Sequence, residues 1–431
     1  MELRDRRVLI WGFGHHGGGL AAAKFCAERG AKVSILEKKS AESLGAGGAE
    51  AVRMGWDWHL GDASHAVFAA SDLIVASPAI PPRAWPERHP EVVPPEGLFF
   101  ATHRGPRIAV TGTKGKSTTA HLIGALLRWT VGGNSNEPLL DILARLGPDA
   151  PVVCELSSFQ LHYLAANPPR FDSTVLTSLA RDHLDWHPDE AHYHATKLRI
   201  AQWGQACAAS PEVQPLLGSD IQKLPLVRYR DGVFTGPTGE RFATRGDLSL
   251  LGDHNAHNAC LALTVAVHHG LSPSQAAGRL RGVRGLPHRL ELVHAALGVR
   301  FVNDSIATTP EAAMAGLAAI AGPLAIILGG SDKGADYDQL ASAVAARGAQ
   351  VVVIGQTAPV ISRALSSWGV TAQRAQSLAD AVNRAVSLLG RGGTVLLSPA
   401  CASFDMFNGF EDRGRQFAEI AMSHGAQQAQ G

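Results

Sequence analysis

Short runs of apolar, often β-branched residues alternate with longer alanine- and leucine-rich stretches from one end of the chain to the other. Nine of these runs read RRVLIWGFG, AKVSILE, SDLIVASP, RIAVTGT, PVVCELSS, STVLTSL, LAIILGG, QVVVIGQ and GTVLLSPA. Most are bounded by glycine or proline, and the stretches between them are long enough for helices. Because continuous apolar runs indicate strands buried on both faces, the alternation predicts an α/β fold with helices on both faces of parallel sheets.

Two segments of different composition interrupt this alternation of predicted strands and helices. The chain has 431 residues, which is too long for one ordinary hydrophobic core. A proline-rich segment covers residues 80–97, and a stretch rich in glycine and arginine covers residues 281–290. We therefore predict three α/β domains, at residues 1–97, 98–285 and 286–431.

The composition excludes several classes of protein. A net charge of +1 argues against binding to nucleic acid or to a membrane surface through bulk electrostatics. No apolar run is long enough for a bilayer span, and the first residues lack the layout of a signal peptide. The cysteines are scattered without CxxC pairs, which is typical of reduced thiols in a cytoplasm: Cys26, Cys154, Cys207, Cys260 and Cys401. We expect a cytoplasmic monomer.

A glycine-rich turn follows the first predicted strand and opens a helix. It reads Gly12-x-Gly14-x-x-Gly17, and Glu37 closes the next strand. Backbone N–H groups at such a helix start suit a diphosphate. An NAD site, a site for another nucleotide diphosphate and a merely tight strand–helix turn all remain open, although histidines at positions 15 and 16 are unusual for NAD.

A second turn, GTKGKSTT, lies between a buried strand and an amphipathic helix. It resembles a phosphate-binding loop, but Val110 stands where the usual pattern has its first glycine. Lys116 would reach the β- and γ-phosphates, and Ser117 or Thr118 would hold Mg²⁺. A glycine-rich turn with surface lysines is the alternative, and the GKST tetrapeptide in this setting favours phosphate binding.

A third stretch, GDHNAHNA, places Asn255 and Asn258 on one face at the start of a helix. Asparagine amides can cap a helix, or they can bind the edge of a purine. The sequence leaves the two interpretations equally open.

Acidic and imidazole side chains cluster in two further places. Glu155 ends a buried strand, where a carboxylate must be paired or bound to a cation, so it could complete a Mg²⁺ site. The second cluster matches no zinc spacing, and we interpret most of its members as solvated loop residues, one of which could lie near the phosphates: Asp182, His183, Asp185, His187, His192 and His194.

Taken together, these motifs resemble the Mur ligase family over essentially the whole chain. RIAVTGTKGKSTT, CELSSFQL, ARDHLDWH, HATKLRI, GDHNAHNA, GLPHRLE, VNDS and LLSPACASFDMF occur in the order of that family, and ILGGSDKGADY is similar to its glutamate-adding members. The resemblance implies a Rossmann-like N-terminal domain that binds the UDP substrate, a central P-loop ATPase-type domain and a Rossmann-like C-terminal domain that binds glutamate. It also implies an ATP-dependent ligase that adds D-glutamate to UDP-N-acetylmuramoyl-L-alanine through an acyl phosphate in peptidoglycan synthesis.

The resemblance further implies roles for individual residues, with Lys116, His183 and Lys197 as the catalytic set. ATP would be bound by the loop and by later side chains: Gly112, Thr113, Lys114, Gly115, Lys116, Ser117, Thr118, Asn255, Asn258, Arg289 and Asp304. Mg²⁺ would be held by side chains around the loop, with the lysine as a carbamate: Ser117, Thr118, Glu155, His183 and Lys197. The UDP substrate would be bound by the first turn and its surroundings: Gly12, Gly14, Gly17, Glu37 and Asn134. Glutamate would be bound by Thr308, Lys333, Ser403 and Phe410.

One position departs from the family pattern. The segment NDSIATTPEAA has Ile306 where familiar D-glutamate ligases have a lysine, and an aliphatic side chain cannot pair with a carboxylate. Some ligases of this group with an NDSI-type motif use L-glutamate, so an L-glutamate-adding ligase is the first alternative.

Alternatives from other classes explain less of the chain. A folylpolyglutamate synthase shares the ATP loop but not LLSPACASFDMF, and an NAD oxidoreductase leaves GKST unexplained. A non-catalytic nucleotide switch would not need Glu155, Lys197 and Lys333 together.

Overall fold

The computed structural model describes residues 2–14, 17–61, 65–85, 91–390 and 392–428. The chain separates into two compact units, one formed by Met1–Arg245 and His257–Leu280 and the other by Gly246–Ala256 and Arg281–Gly431. The three predicted domain ranges stay a prediction.

The first unit begins with a sheet of five parallel strands in the order β3-β2-β1-β4-β5. This is the strand order of dinucleotide-binding sheets, in which the phosphate-binding turn follows β1. Its strands are β1 (Arg7–Trp11), β2 (Lys32–Glu37), β3 (Asp57–Leu60), β4 (Leu73–Ala76) and β5 (Glu91–Val93). Its helices are α1 (Gly18–Glu28), α2 (Gly45–Arg53), α3 (His65–Ala69) and α4 (Pro95–Thr102).

A second parallel sheet follows in the same unit, in the order β10-β9-β6-β8-β7. Its strands are β6 (Arg107–Thr111), β7 (Thr130–Gly132), β8 (Val152–Glu155), β9 (Phe171–Leu176) and β10 (Gly204–Ala209). Its helices are α5 (Lys116–Leu127), α6 (Leu139–Leu146), α7 (Ser158–Leu164) and α8 (Glu190–Leu198). A small antiparallel sheet of β11 (Arg228–Arg230), β12 (Val233–Thr235) and β13 (Arg241–Thr244) precedes α9 (Asp253–His268) and α10 (Pro273–Leu280).

The buried residues of the first unit show why its strands read as unbroken apolar runs. Along β1, Val8 and Ile10 belong to one apolar cluster and Leu9 to another, so both faces of the strand are covered. The cluster that contains Val8 also contains Ala109 of β6 and Cys154 of β8. The two parallel sheets of this unit therefore share one hydrophobic core.

The second unit contains a six-stranded sheet in the order β14-β15-β19-β16-β17-β18. Strand β14 runs antiparallel to β15, and the other described pairs of neighbouring strands in this sheet are parallel. The last strand, β19, lies between β15 and β16. Its strands are β14 (Glu291–Ala296), β15 (Val299–Asn303), β16 (Leu324–Gly329), β17 (Gln350–Ile354), β18 (Ala372–Arg374) and β19 (Gly393–Leu397). Its helices are α11 (Pro310–Ala319), α12 (Asp338–Arg347), α13 (Ala358–Ser367), α14 (Leu378–Leu389) and α15 (Phe410–Gln428).

The predicted α/β fold with parallel sheets is confirmed, and all nine predicted runs contain a strand. The proline-rich segment at 80–97 is not only a connection between domains, because it contains β5, which lies at the edge of the first sheet, and the start of α4. All five cysteines are buried free thiols. Within the described ranges, no helix combines the length and the apolar character that crossing a bilayer requires.

Candidate active site and substrate cleft

The phosphate-binding loop runs from the buried strand β6 into the first turn of α5. Gly112 and Gly115 both have positive φ angles, at 147° and 85°. A Cβ on Gly115 would lie 2.5 Å from Oδ1 of Asn258, so a side chain there would have to displace the amide of Asn258. The Nζ of Lys116 folds back over the loop and donates to the carbonyls of Gly112 at 2.9 Å and Thr113 at 3.0 Å. The loop therefore has the backbone conformation and the cation that a phosphate group needs.

A buried carboxylate lies beside this loop. Glu155 ends β8, which pairs with β6, and its side chain is fully buried. Its Oε1 accepts hydrogen bonds from Oγ of Ser117 at 3.0 Å and Nδ2 of Asn134 at 2.8 Å. Its Oε2 accepts a hydrogen bond from Nδ2 of Asn136 at 2.7 Å. Thr118, the other predicted hydroxyl ligand, is buried one position further along α5.

Lys197 is almost fully buried below the loop, with 1% of its surface exposed. Its Nζ lies 3.5 Å from Oγ1 of Thr111 and 5.0 Å from the ring centroid of Tyr193. Burial, and after it repulsion from Lys116, lowers the pKa of Lys197 well below its usual value. This position looks like an ordinary helix lysine in the sequence, but its surroundings favour the neutral amine.

The histidines nearby occupy different environments. His183 is exposed, although its ring packs against Phe159 at a centroid distance of 4.8 Å. His187 is buried between His192 at 2.8 Å and Oγ of Ser158 at 2.9 Å, so it is not one of the solvated loop residues that the sequence predicted for most of this cluster. Burial and the neighbouring His192 lower the pKa of His187 to about 4. Among the described residues, no group of three or more His, Cys, Asp or Glu side chains could hold a metal ion by itself.

A cleft of about 230 Å³ opens between the first glycine-rich turn and the residues that follow β7 and β8. Gly12 and Gly14 line one wall, and Asn134, Asn136 and Gln160 line the other. The structure thus brings the predicted Gly12, Gly14 and Asn134 together.

The remaining residues of the first turn serve its conformation. Gly17 is the N-cap residue of α1, with a φ angle of 81°. Gly12 has a φ angle of 77°, and a Cβ there would lie 2.9 Å from the Cβ of Ser77. Glu37 does not line the cleft; its carboxylate accepts the N–H groups of Gly14 at 3.0 Å and Lys38 at 2.8 Å. His15 and His16 lie outside the described residues.

In the second unit, Asp304 follows β15 and is 5% exposed. It accepts hydrogen bonds from Oγ of Ser398 at 2.7 Å and from the N–H of Leu290 at 3.2 Å. Burial raises the pKa of Asp304 to about 6, against the smaller opposing effects of these donors and Arg289.

The predicted glutamate-binding residues differ in exposure. Ser403 is buried, Thr308 and Phe410 are half-buried, and Lys333 is exposed. Ile306 is half-buried, in the same loop as Thr308.

Arg413 is a residue that the sequence did not single out. Its guanidinium is fully buried and donates to the hydroxyl of Ser305 at 2.9 Å, to the carbonyl of Ser305 at 2.8 Å and to the carbonyl of Cys401 at 3.1 Å. Burial lowers its pKa to about 10. Arg413 therefore connects the loop that carries Thr308 and the loop that carries Ser403 through hydrogen bonds to both.

The two asparagines of α9 fall in different units. The Nδ2 of Asn255 donates to the carbonyl of Leu251 at 2.7 Å, which stabilises the start of the helix in the second unit. Asn258 lies beside Gly115 in the first unit. The structure therefore gives the amide of Asn255 a backbone acceptor at the start of its own helix and places Asn258 at the phosphate loop.

Comparison with known proteins decides the family. The chain is 34% identical to the UDP-N-acetylmuramoylalanine–D-glutamate ligase of Pelotomaculum thermopropionicum, with 98% of each chain covered. It is 36% identical to the enzyme of the same name from Anaeromyxobacter dehalogenans, with 97% and 98% covered. The chain belongs to the Mur ligase family. Residues 110–208 match the Mur ligase middle domain, and residues 288–401 match the Mur ligase glutamate ligase domain.

Solved Mur ligases share the fold at low sequence identity. The MurC ligase of Thermotoga maritima is 19% identical, with a TM-score of 0.60 and coverage of 97% of this chain and 100% of that one. The MurF ligase of the same organism, solved in complex with ADP, is 15% identical, with a TM-score of 0.58 and coverage of 99% and 96%. A Mycobacterium tuberculosis folylpolyglutamate synthase reaches a TM-score of 0.53 at 19% identity but covers 75% of this chain and 93% of its own.

Proposed function

We propose that this Mur ligase joins D-glutamate to UDP-N-acetylmuramoyl-L-alanine in peptidoglycan synthesis, using ATP and passing through an acyl phosphate. The observation that carries the proposal is the identity of 34% and 36% with D-glutamate ligases over nearly the whole chain. As part of the same proposal, the enzyme acts in the cytoplasm as a monomer, without nucleic acid or membrane.

ATP would bind at the phosphate loop. The loop N–H groups and the start of α5 suit the phosphates, and Lys116, which donates to two loop carbonyls, would turn toward the γ-phosphate. The remaining ATP contacts would come from Gly112–Thr118 of the loop and from Asn255, Asn258, Arg289 and Asp304, with Arg289 on the phosphates and Asp304 on the ribose.

The residues around Glu155 fit Mg²⁺. A buried carboxylate next to the hydroxyl of Ser117 offers the hard oxygen ligands that this ion prefers, and the three donors on Glu155 show how strongly the site must compensate its negative charge. Ser117, Thr118 and Glu155 would hold one ion, and His183 with Lys197 a second. When bound, Mg²⁺ would neutralise negative charge on the phosphates.

Lys197 would serve as a carbamate. An amine must be neutral to attack CO₂, and burial together with Lys116 lowers the pKa of Lys197 well below its usual value. Attack forms an N–C bond and releases one proton, which turns a buried cation into a carboxylate that can bind a metal ion. The low pKa and the absence of an ion pair for Lys197 among the described residues support this modification.

The chemistry needs positioning and charge compensation more than a protein nucleophile. A carboxylate oxygen of the L-alanyl group attacks the γ-phosphorus of ATP, and the bond to ADP breaks. The amine of glutamate then attacks the acyl phosphate carbon, loses a proton and expels inorganic phosphate. The cleft walls, with Gly12, Gly14 and Asn134, would hold the UDP part of the substrate.

The glutamate site would lie at the two loops that Arg413 connects by hydrogen bonds, one carrying Thr308 and the other Ser403. Ser403 and Thr308 would donate hydrogen bonds, Phe410 would pack against the aliphatic part of glutamate, and the exposed Lys333 would pair with its side-chain carboxylate.

L-glutamate is a second candidate substrate, because Ile306 offers no cation where familiar D-glutamate ligases have a lysine. The deciding experiment measures phosphate release by the purified protein with ATP, Mg²⁺ and UDP-N-acetylmuramoyl-L-alanine, with D- and L-glutamate in parallel. Turnover with D-glutamate supports the main proposal, and turnover with L-glutamate alone replaces it with the second candidate. No phosphate release with either amino acid would contradict both.

A further inference from the structure

The loop after β7 connects the substrate cleft with the carboxylate beside the phosphate loop. Asn134 and Asn136 both line the cleft, and both donate their side-chain amide to Glu155, at 2.8 and 2.7 Å. Asn134 bonds the same oxygen as Ser117 does, whereas Asn136 alone among the described side chains bonds Oε2. The substrate cleft and the carboxylate of Glu155 thus share two hydrogen-bond donors, the side-chain amides of Asn134 and Asn136.

Binding of a cation would disturb this arrangement. The two carboxylate oxygens together offer about four acceptor positions, and three are used by the donors described above. A cation would approach Oε2, which has the free acceptor position, and there it would repel the positively polarised N–H group that Asn136 donates to the same oxygen. An amide released from Glu155 remains at the cleft wall, where it needs a new acceptor.

We propose that Asn136 is a positioning residue that couples the two sites. Without metal and ATP it holds Glu155 in place; with them, its amide is released to an acceptor oxygen of the sugar nucleotide in the cleft. This role rests on the proposed function, because it assumes that the cleft takes the sugar nucleotide. Occupancy of the phosphate loop should therefore strengthen binding of the sugar nucleotide.

Calorimetric titration measures this coupling directly. UDP-N-acetylmuramoyl-L-alanine is titrated into the protein with and without Mg²⁺ and a non-hydrolysable ATP analogue. In the wild type, Mg²⁺ and the analogue should tighten binding on the order of tenfold, and in Asn136→Ala less than about threefold. The ratio of the two affinities is the diagnostic quantity, since a lost direct contact or a general structural defect weakens binding in both states alike.

Glu137→Gln is the matched control. Glu137 belongs to the same loop but pairs with Arg145 at 2.6 Å, and it neither lines the cleft nor contacts Glu155. It should keep the wild-type ratio. If Asn136→Ala also keeps that ratio, or if the wild type shows no coupling, the proposal is overturned even where the turnover assay confirms the ligase. A wild type that turns over no glutamate and binds no sugar nucleotide would instead overturn the proposed function, and this inference with it.

Asn136→Asp provides a test with Mg²⁺ alone. It has nearly the same shape as the wild-type residue but places a second carboxylate within hydrogen-bonding distance of Glu155. Mutual repulsion should lower its Tm, and Mg²⁺ should restore it, because two adjacent carboxylates attract a divalent cation. Equal Mg²⁺ effects on the Tm of this variant and of the wild type would contradict the contact between position 136 and the metal-binding carboxylate.

Discussion

Arg413 donates two hydrogen bonds to Ser305, one to its hydroxyl at 2.9 Å and one to its carbonyl at 2.8 Å, although the two residues lie 108 positions apart. Further bonds to the carbonyl of Cys401 make the buried guanidinium the link between the two loops of the proposed glutamate site. No carboxylate in the described part of the chain forms an ion pair with this guanidinium, and carbonyl and hydroxyl oxygens compensate its charge instead.

Replacing Arg413 should therefore unfold the glutamate site. Arg413→Ala leaves several buried acceptors without donors, which should destabilise the protein by about 3 kcal/mol and abolish glutamate-dependent phosphate release. Arg415→Ala, on the same helix, removes an exposed guanidinium that pairs with the half-buried Asp412 and the exposed Glu419, and it should change stability by no more than about 0.5 kcal/mol. Thermal melting of both variants checks this, and equal losses would argue against a special role for Arg413.

Gly115→Ala should abolish nucleotide binding. The new Cβ would approach Oδ1 of Asn258 to 2.5 Å, in a backbone conformation that already costs an L-residue about 1–2 kcal/mol. Gly348→Ala has a similar positive φ of 64° with no atom within 4 Å, so it should lose stability only. Titration with a fluorescent ATP analogue separates the two, and an unchanged affinity in Gly115→Ala would contradict the assignment of the loop.

Lys197→Ala should reduce turnover by about two to three orders of magnitude, and acetate should restore part of it by filling the space of the lost carbamate. Lys116→Ala should be equally inactive but not restored, because a carboxylate cannot replace a cation. Acidification should lower wild-type activity, since protonation of Lys197 removes the amine that reacts with CO₂. Steady-state rates with and without acetate check this. Restoration of both variants alike would count against the carbamate.

Asp304 should make stability depend on pH in a definite direction. Its folded pKa of about 6 lies above the value of about 3.9 expected in the unfolded chain, so the folded protein takes up the proton first as the pH falls. Relative to Asp304→Asn, the wild type should therefore gain stability between pH 6 and about 4. At pH 7, the raised pKa of Asp304 lowers the stability of the folded protein by about 3 kcal/mol at most, because each pKa unit corresponds to about 1.4 kcal/mol. Denaturant unfolding across this range checks it, and a constant difference would refute it.

Ile306→Lys should favour D-glutamate. A cation in the loop of Thr308 can pair with a carboxylate of the amino acid, which should raise kcat/KM for D-glutamate relative to L-glutamate on the order of tenfold. Ile306→Met keeps the volume without the charge and should leave the preference unchanged. Parallel assays with both enantiomers give the ratio of kcat/KM for D-glutamate to that for L-glutamate. If this ratio is the same in both variants, the side chain at position 306 does not determine which enantiomer is used.

The sequence predicted those parts of the structure whose determinants lie close together in the chain. The nine buried strands stand out because both of their faces are apolar, and the loop around Lys116 carries its glycines, cation and hydroxyls within a few residues. The weaker strands β11 and β13 escaped prediction because their residues are short runs with exposed arginines.

The parts that could not be predicted depend on partners far away in the chain. Arg413 appears in the sequence as one more charged residue of a terminal helix, and only folding brings it to Ser305. Lys197 differs from a surface lysine through its burial, which comes from packing rather than local pattern. Asn136 becomes noticeable only once Glu155, 19 residues later, is seen to accept its amide.

The hydrophobic core shared by the two parallel sheets of the first unit limits how this enzyme can evolve. Val8 of the first sheet and Cys154 of the second belong to the same buried cluster. Exchange of the first 97 residues with those of a distant relative would therefore alter one face of the sheet that carries the phosphate loop. Substrate preference at the cleft should change by point substitution on its walls more readily than by replacement of the whole first sheet.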